Sequence, residues 1–129
     1  MNDENVLLVH NYDHDGISIV AAQGDVDLST QETLRKALES SCTEQNAPHK
    51  VAVDMREVPF IDSAGLALLV EIRKRFGHKC QLALIIAARS QPERVLKLGR
   101  FDTFLEVCYS PDELSGPVAS SSAFAPPAQ

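Results

Sequence analysis

The sequence lacks tryptophan and carries three cysteines, six glycines and a deficit of positive charge, 12 Lys and Arg against 18 Asp and Glu. Three cysteines are an odd number, and Cys42, Cys80 and Cys108 are far apart in apolar surroundings. That excludes a disulfide framework and a zinc knuckle, so they are expected to be buried thiols. No apolar run approaches the roughly 20 residues that a membrane span requires, and residues 1–5 are acidic where a secretory leader would be basic. A cytoplasmic protein is therefore expected, with no direct membrane contact. The net charge of −6 opposes binding to phosphate backbones or anionic surfaces. The basic run Arg73-Lys74-Arg75, with His78 and Lys79, is read as a helix C-terminus complementing its own dipole, not as a nucleic-acid patch. Neither G-x-x-x-x-G-K-[ST] nor G-x-G-x-x-G occurs, so any phosphate donor has to sit on a partner. The nucleophile elbow G-x-S-x-G fails because Ile61 stands where its first glycine belongs, and the chain is read as not an enzyme.

What is present is the material of one domain: 129 residues, 44% hydrophobic and 23% charged. Val6 to Tyr12 and Ile17 to Gln23 are β-branched-rich segments joined by Asp13-His14-Asp15-Gly16, which reads as a hairpin and not as a metal site of His10, His14, Asp13 and Asp15. Ser29-Thr30-Gln31-Glu32 has the form of a capping box, followed by Leu34, Ala37, Leu38 and Cys42 at helical spacing. A third strand is expected around Val51 to Met55. Asp62-Ser63 offers an N-cap to a helix carrying Leu66, Leu69, Val70, Ile72 and Phe76 and closing at Gly77.

Leu82 to Ala87 is continuously apolar, which predicts a strand covered on both faces at the centre of the sheet. Ser90-Gln91-Pro92-Glu93 opens a third helix stopped at Gly99, and Phe104 to Val107 forms a fifth strand. A last helix from Ser110 is cut short by Gly116-Pro117. The order β-β-α-β-α-β-α-β predicts an α/β domain, a mixed sheet of about five strands packed against helices, over residues 1–115. Residues 116–129 are Ser, Ala and Pro-rich, too poor in apolar surface to offset ordering entropy, and are expected to form a disordered tail.

The most unusual stretch is Val58-Pro59-Phe60-Ile61-Asp62-Ser63-Ala64-Gly65-Leu66, an apolar strand end running into a small polar turn that opens a helix. A hydroxyl there meets unpaired N–H groups and the positive end of the helix dipole, a setting that welcomes a phosphate. The small Ala64 and Gly65 are expected to leave room for another protein to reach it. Capping by Ser63 is the plainer alternative. Asp25 and Asp27 alternate along an extended segment and so point to opposite faces, which argues against paired acid–base chemistry.

Phe60-Ile61-Asp62-Ser63-Ala64-Gly65-Leu66 resembles the signature of the STAS family, specifically the bacterial anti-sigma-factor antagonists. Gly24-Asp25-Val26-Asp27 is similar to that family's second element, G-x-φ-D before the first helix. The resemblance covers about Val6 to Leu114, the short final helix and the tail being departures from it. It implies a STAS-like fold and a phosphorylation site at Ser63 with Asp27 nearby. It also implies a partner face of Asp27, Leu28, Ser29 and Thr30 with Asp62, Ala64, Gly65 and Leu66, reaching toward Leu69 and the Ala88 to Ser90 loop. The implied function is binding of an anti-sigma factor with serine kinase activity, release on phosphorylation of Ser63, and resetting by a serine phosphatase. The chain itself would need no cofactor, since ATP and magnesium belong to the kinase. Family members that act as constitutive interaction subunits, in phospholipid-transport ABC complexes or stressosome scaffolds, give the alternative reading.

Overall fold

A computed structural model describes residues 6–45 and 47–114; the tail expected over 116–129 and the stop at Gly116-Pro117 lie outside the described residues. Strand β1 (Leu8–His14) runs two residues further than its apolar pattern and turns through Asp15-Gly16 alone into β2 (Ile17–Gln23). Both turn residues have positive φ, 51° and 85°. Two such residues in a row match the right-handed twist of the flanking strands, so the four-residue link contracts to two.

Helix α1 (Gln31–Thr43) leads to β3 (His49–Glu57), α2 (Ser63–Phe76) to β4 (Cys80–Ile85), and α3 (Gln91–Leu98) to a 3-10 turn (Phe101–Thr103) and β5 (Glu106–Cys108). A 3-10 turn (Pro111–Glu113) follows, so the helix expected from Ser110 is a single tight turn. Ser110 caps this turn, its side chain accepting from Asp112 N–H. The sheet order is β1-β2-β3-β4-β5, with β1 antiparallel to β2 and the other pairs parallel. The middle strand is thus β3, and β4, expected there, lies one place over; both are interior and buried on both faces. The fifth strand is shorter and later than expected because Phe101 to Thr103 are wound into the 3-10 turn before it.

Strand alternation divides the core. Val51, Val53 and Met55 of β3, with Val20 and Leu84 on its neighbours, pack under Leu34 and Leu38 of α1, Leu68, Leu69 and Ile72 of α2, and Leu96 of α3. Ala52, Ala83, Ile19 and Ile85 point the other way into a smaller cluster that Tyr12 and Leu114 pack against. Two ion pairs border that second face, Lys50 with Glu106 and Arg56 with Asp54. Lys50 is only 4% exposed, so its charge is tolerated through its carboxylate partner. The three cysteines are buried, as the sequence implies.

Candidate functional site

Parallel strands followed by helices bring the C-terminal ends of β2, β3 and β4 and the first residues of α1, α2 and α3 to one edge of the sheet. Two loops meet there. Val26 and Ile61 form an isolated parallel bridge, with Val26 N–H donating to Phe60 O at 2.9 Å and Asp62 N–H to Val26 O at 3.1 Å. The loop before α1 is thereby zipped to the loop before α2, and the Asp27 and Ser63 segments become neighbours.

At the start of α2 the cap is Asp62. Its Oδ1 accepts Gly65 N–H at 3.0 Å and its Oδ2 accepts Leu28 N–H at 3.3 Å. Ser63 is therefore the first helical residue and not the cap; its side chain is exposed and makes no hydrogen bond with the described residues. The hydroxyl stands at the positive helix end without a structural task.

The motif glycines serve packing. A Cβ on Gly65 would lie 2.6 Å from Ile61 Cγ1 and 2.8 Å from Val26 Cγ1, so only glycine lets α2 start against the zipped loops. Gly65 is buried, and its small size is used inward rather than to admit a partner. Gly24 has φ 121°, and a Cβ there would meet Val6 O at 2.6 Å. Ala64 and Leu66 are half-buried.

The start of α1 departs from the expected capping box. Asp27 Oδ1 accepts Ser29 N–H at 2.9 Å, Ser29 Oγ–H at 2.8 Å and Thr30 N–H at 3.1 Å. The Ser29 hydroxyl is drawn back to this carboxylate, a stronger acceptor than a helix N–H is a donor for it, while Glu32 turns to Arg35 at 3.1 Å. The helix consequently begins one residue later, after Thr30, which is buried and holds the loop by accepting from Asp27 N–H and donating to Asp25 O. The Ser29 hydroxyl, with the N–H groups of Ser29 and Thr30, holds the Asp27 carboxyl below the usual carboxylate range.

The Ala88 to Ser90 loop joins the same edge through a residue that sequence reasoning passed over. Gln91 accepts Ile61 N–H at 2.9 Å and donates to Ile61 O at 3.0 Å, fastening α3 to the loop before Ser63. Beside it the expected capping box forms in half: Ser90 Oγ accepts Glu93 N–H at 3.2 Å, while Glu93 reaches past the cap to accept Arg89 N–H at 2.7 Å. One apolar side chain of each of the two zipped loops remains in solvent, Leu28 at 72% and Phe60 at 43% exposed. Phe60 belongs to the motif but was not singled out as a contact.

The STAS domain family model matches residues 9–114. The chain belongs to the STAS domain family. Among known relatives it is similar to the anti-sigma-F factor antagonist RsfB of Mycobacterium tuberculosis, 23% identical over 104 residues that cover 81% of this chain and 84% of the relative. Its fold is similar to that of an anti-sigma factor antagonist from Mycobacterium paratuberculosis, with TM-score 0.74 and 22% identity, covering 84% of this chain and 90% of the other. It is also similar to the Bacillus cell fate determinant SpoIIAA in its phosphorylated form, with TM-score 0.56 and 13% identity over 82% of this chain and 95% of that one. Among the described residues of this STAS domain, no helix is long and apolar enough to cross a membrane.

Proposed function

We propose that this STAS domain is an anti-sigma-factor antagonist switched at Ser63. Unmodified, it binds a kinase-type anti-sigma factor through the edge formed by Asp27, Leu28, Ser29 and Thr30 with Asp62, Ala64, Gly65 and Leu66. Phosphorylation of Ser63 ends the complex, and a serine phosphatase restores it. The observation that carries this reading is the free, exposed Ser63 hydroxyl beside a separate cap, Asp62. A serine needed for capping could not be modified without loosening its helix; this one can. The names of the relatives, RsfB and SpoIIAA among them, support the same reading.

Within the edge, residues divide by task. Leu28 and Phe60 offer apolar contact, Asp27 and Ser29 polar contact, and Thr30, Gly65 and Asp62 hold the loops in place. A phosphate on Ser63 would add about −1.5 to −2 charge beside the Asp62 and Asp27 carboxylates. Burying that charge in a packed interface costs several kcal/mol, enough for more than a hundredfold loss of affinity.

The test is phosphate incorporation by the cognate kinase with ATP, read by intact mass, together with binding of Ser63→Ala and Ser63→Asp to that kinase. Expected are one added phosphate located at Ser63, none on Ser63→Ala, and binding retained by Ser63→Ala but lost by Ser63→Asp. Constitutive binding unaffected by either substitution, with no phosphate taken up, would favour a static interaction subunit instead.

A further inference from the structure

At the end of the sheet opposite Ser63, the last turn of α1 meets the first residue of β4. Cys42 Sγ and Cys80 Sγ lie there 2.8 Å apart, both free thiols and both within the main core. Cys108 is elsewhere, in the cluster on the second face, with its thiol donating to Ser110 O at 3.3 Å. Three cysteines allow three pairings; the fold places one of them in contact. We propose that Cys42 and Cys80 form a reversible dithiol–disulfide couple, a modification site whose oxidant is a hydroperoxide.

The two thiols are not equivalent. Either sulfur can donate in this contact; with the hydrogen on Cys80, the bond favours the Cys42 thiolate against the cost of burial, and the Arg75 charge adds to the effect. The same bond and burial hold the proton on Cys80. Cys42, one residue from the exposed end of α1, is the sulfur that the oxidant reaches first and so the attacking one. Its thiolate attacks one peroxide oxygen, the O–O bond breaks, and the departing hydroxide takes up a proton to become water. The Cys42 sulfenic acid is then attacked by the Cys80 sulfur as that thiol gives up its proton; the S–O bond breaks and a second water leaves. Two thiols lose two electrons and one hydrogen peroxide becomes two waters. A dithiol reductant reverses the bond by exchange.

Position also supplies a route for the oxidant. Cys42 is one residue from the end of α1, where Thr43, Glu44 and Gln45 are exposed, so fraying of a single helical turn uncovers the pair without unfolding the sheet. The disulfide would close a long loop containing β3 and α2, which stabilises the fold by restricting the unfolded chain.

The experiment treats the reduced full-length protein with hydrogen peroxide under native conditions, quenches it, alkylates in denaturant, and maps the peptides by mass. Expected are a loss of two hydrogens, a Cys42–Cys80 cross-linked peptide, an alkylated Cys108, full reversal by dithiothreitol, and a thermal midpoint raised by several degrees in the oxidised form. In urea the same treatment should scatter among all three pairings. Native oxidation that cross-links Cys108, or that leaves Cys42 and Cys80 both alkylated, overturns the proposal. In Cys80→Ser, with its fold verified by circular dichroism, peroxide should add one oxygen at Cys42 and form no intramolecular bond; persistence of an intramolecular bond also overturns it. Ser63 plays no part in any readout, so the result is independent of the proposed switch.

Discussion

The Asp62 carboxylate crosses from the start of α2 to accept the backbone N–H of Leu28 at 3.3 Å, while its other oxygen caps the same helix at Gly65. One side chain therefore fixes the helix that presents Ser63 and the loop that presents Leu28. Asp62→Ala should cost about 1–2 kcal/mol, the value of an N-cap. Asp62→Asn should cost less, because its carbonyl still caps Gly65 while its NH₂ group cannot accept from Leu28. Urea denaturation of the three proteins measures both. Equal losses in the two variants would mean that the Leu28 contact carries the whole effect.

Gly65→Ala sets helix propensity against packing. Alanine gains about 1 kcal/mol over glycine inside a helix. Here its methyl would collide with Ile61 and Val26 at distances no side chain tolerates, 2.6 and 2.8 Å. Overpacking of this kind costs about 1–3 kcal/mol, so the variant should be net destabilised. An unchanged or raised urea midpoint would show that the bridge between the two loops yields easily.

These two residues also mark how far the sequence can be read. Asp62 as a cap and glycine beside it follow from local chemistry, as do α2, α3 and the alternating strands, because capping and periodicity act over a few residues. The inward use of Gly65 did not follow, since its neighbours Val26 and Ile61 come from two different loops. The same holds for Gln91, whose partner is thirty positions away, and for the Cys42–Cys80 contact. At the start of α1 local chemistry misled: Ser29 and Glu32 have the form of a capping box, yet Asp27, two residues earlier, captures the Ser29 hydroxyl.

Gln91→Ala removes both hydrogen bonds to Ile61 and leaves the N–H and C=O of that buried residue without these partners. A loss of about 1–2 kcal/mol is expected. The specific sign is faster hydrogen exchange at the Ile61 amide than at the amides of β3, which keep their ladder partners. Uniform acceleration across the sheet would mean that Gln91 supports the fold at large, not this loop.

Ser63→Asp should leave the fold nearly untouched. The side chain is exposed, bonds nothing among the described residues, and sits where the helix dipole favours negative charge while Asp62 opposes it. The stability change should stay within about 0.5 kcal/mol, the usual range for such a surface position. A larger loss would mean that a charge at this point acts by unfolding the helix start and not by excluding a partner, and the switch would need a different mechanism.

Glu93 gives the pH dependence. The Tyr109 hydroxyl, then Arg89 N–H and the Lys97 ammonium, stabilise its charged form and bring its pKa from 4.5 to about 2. Because the folded value lies below the unfolded one, the charged carboxylate binds its proton less readily in the native state. Its contribution is fully present above 4.5 and drains away as pH falls toward about 2. Stability curves of the wild type and Glu93→Gln should therefore run parallel at neutral pH and converge across that window. Curves that stay parallel down to its lower end would show that the hydrogen bonds from Tyr109 and Arg89 serve a neutral acceptor equally well. In that case the tie between Tyr109, just past β5, and the start of α3 would owe nothing to charge.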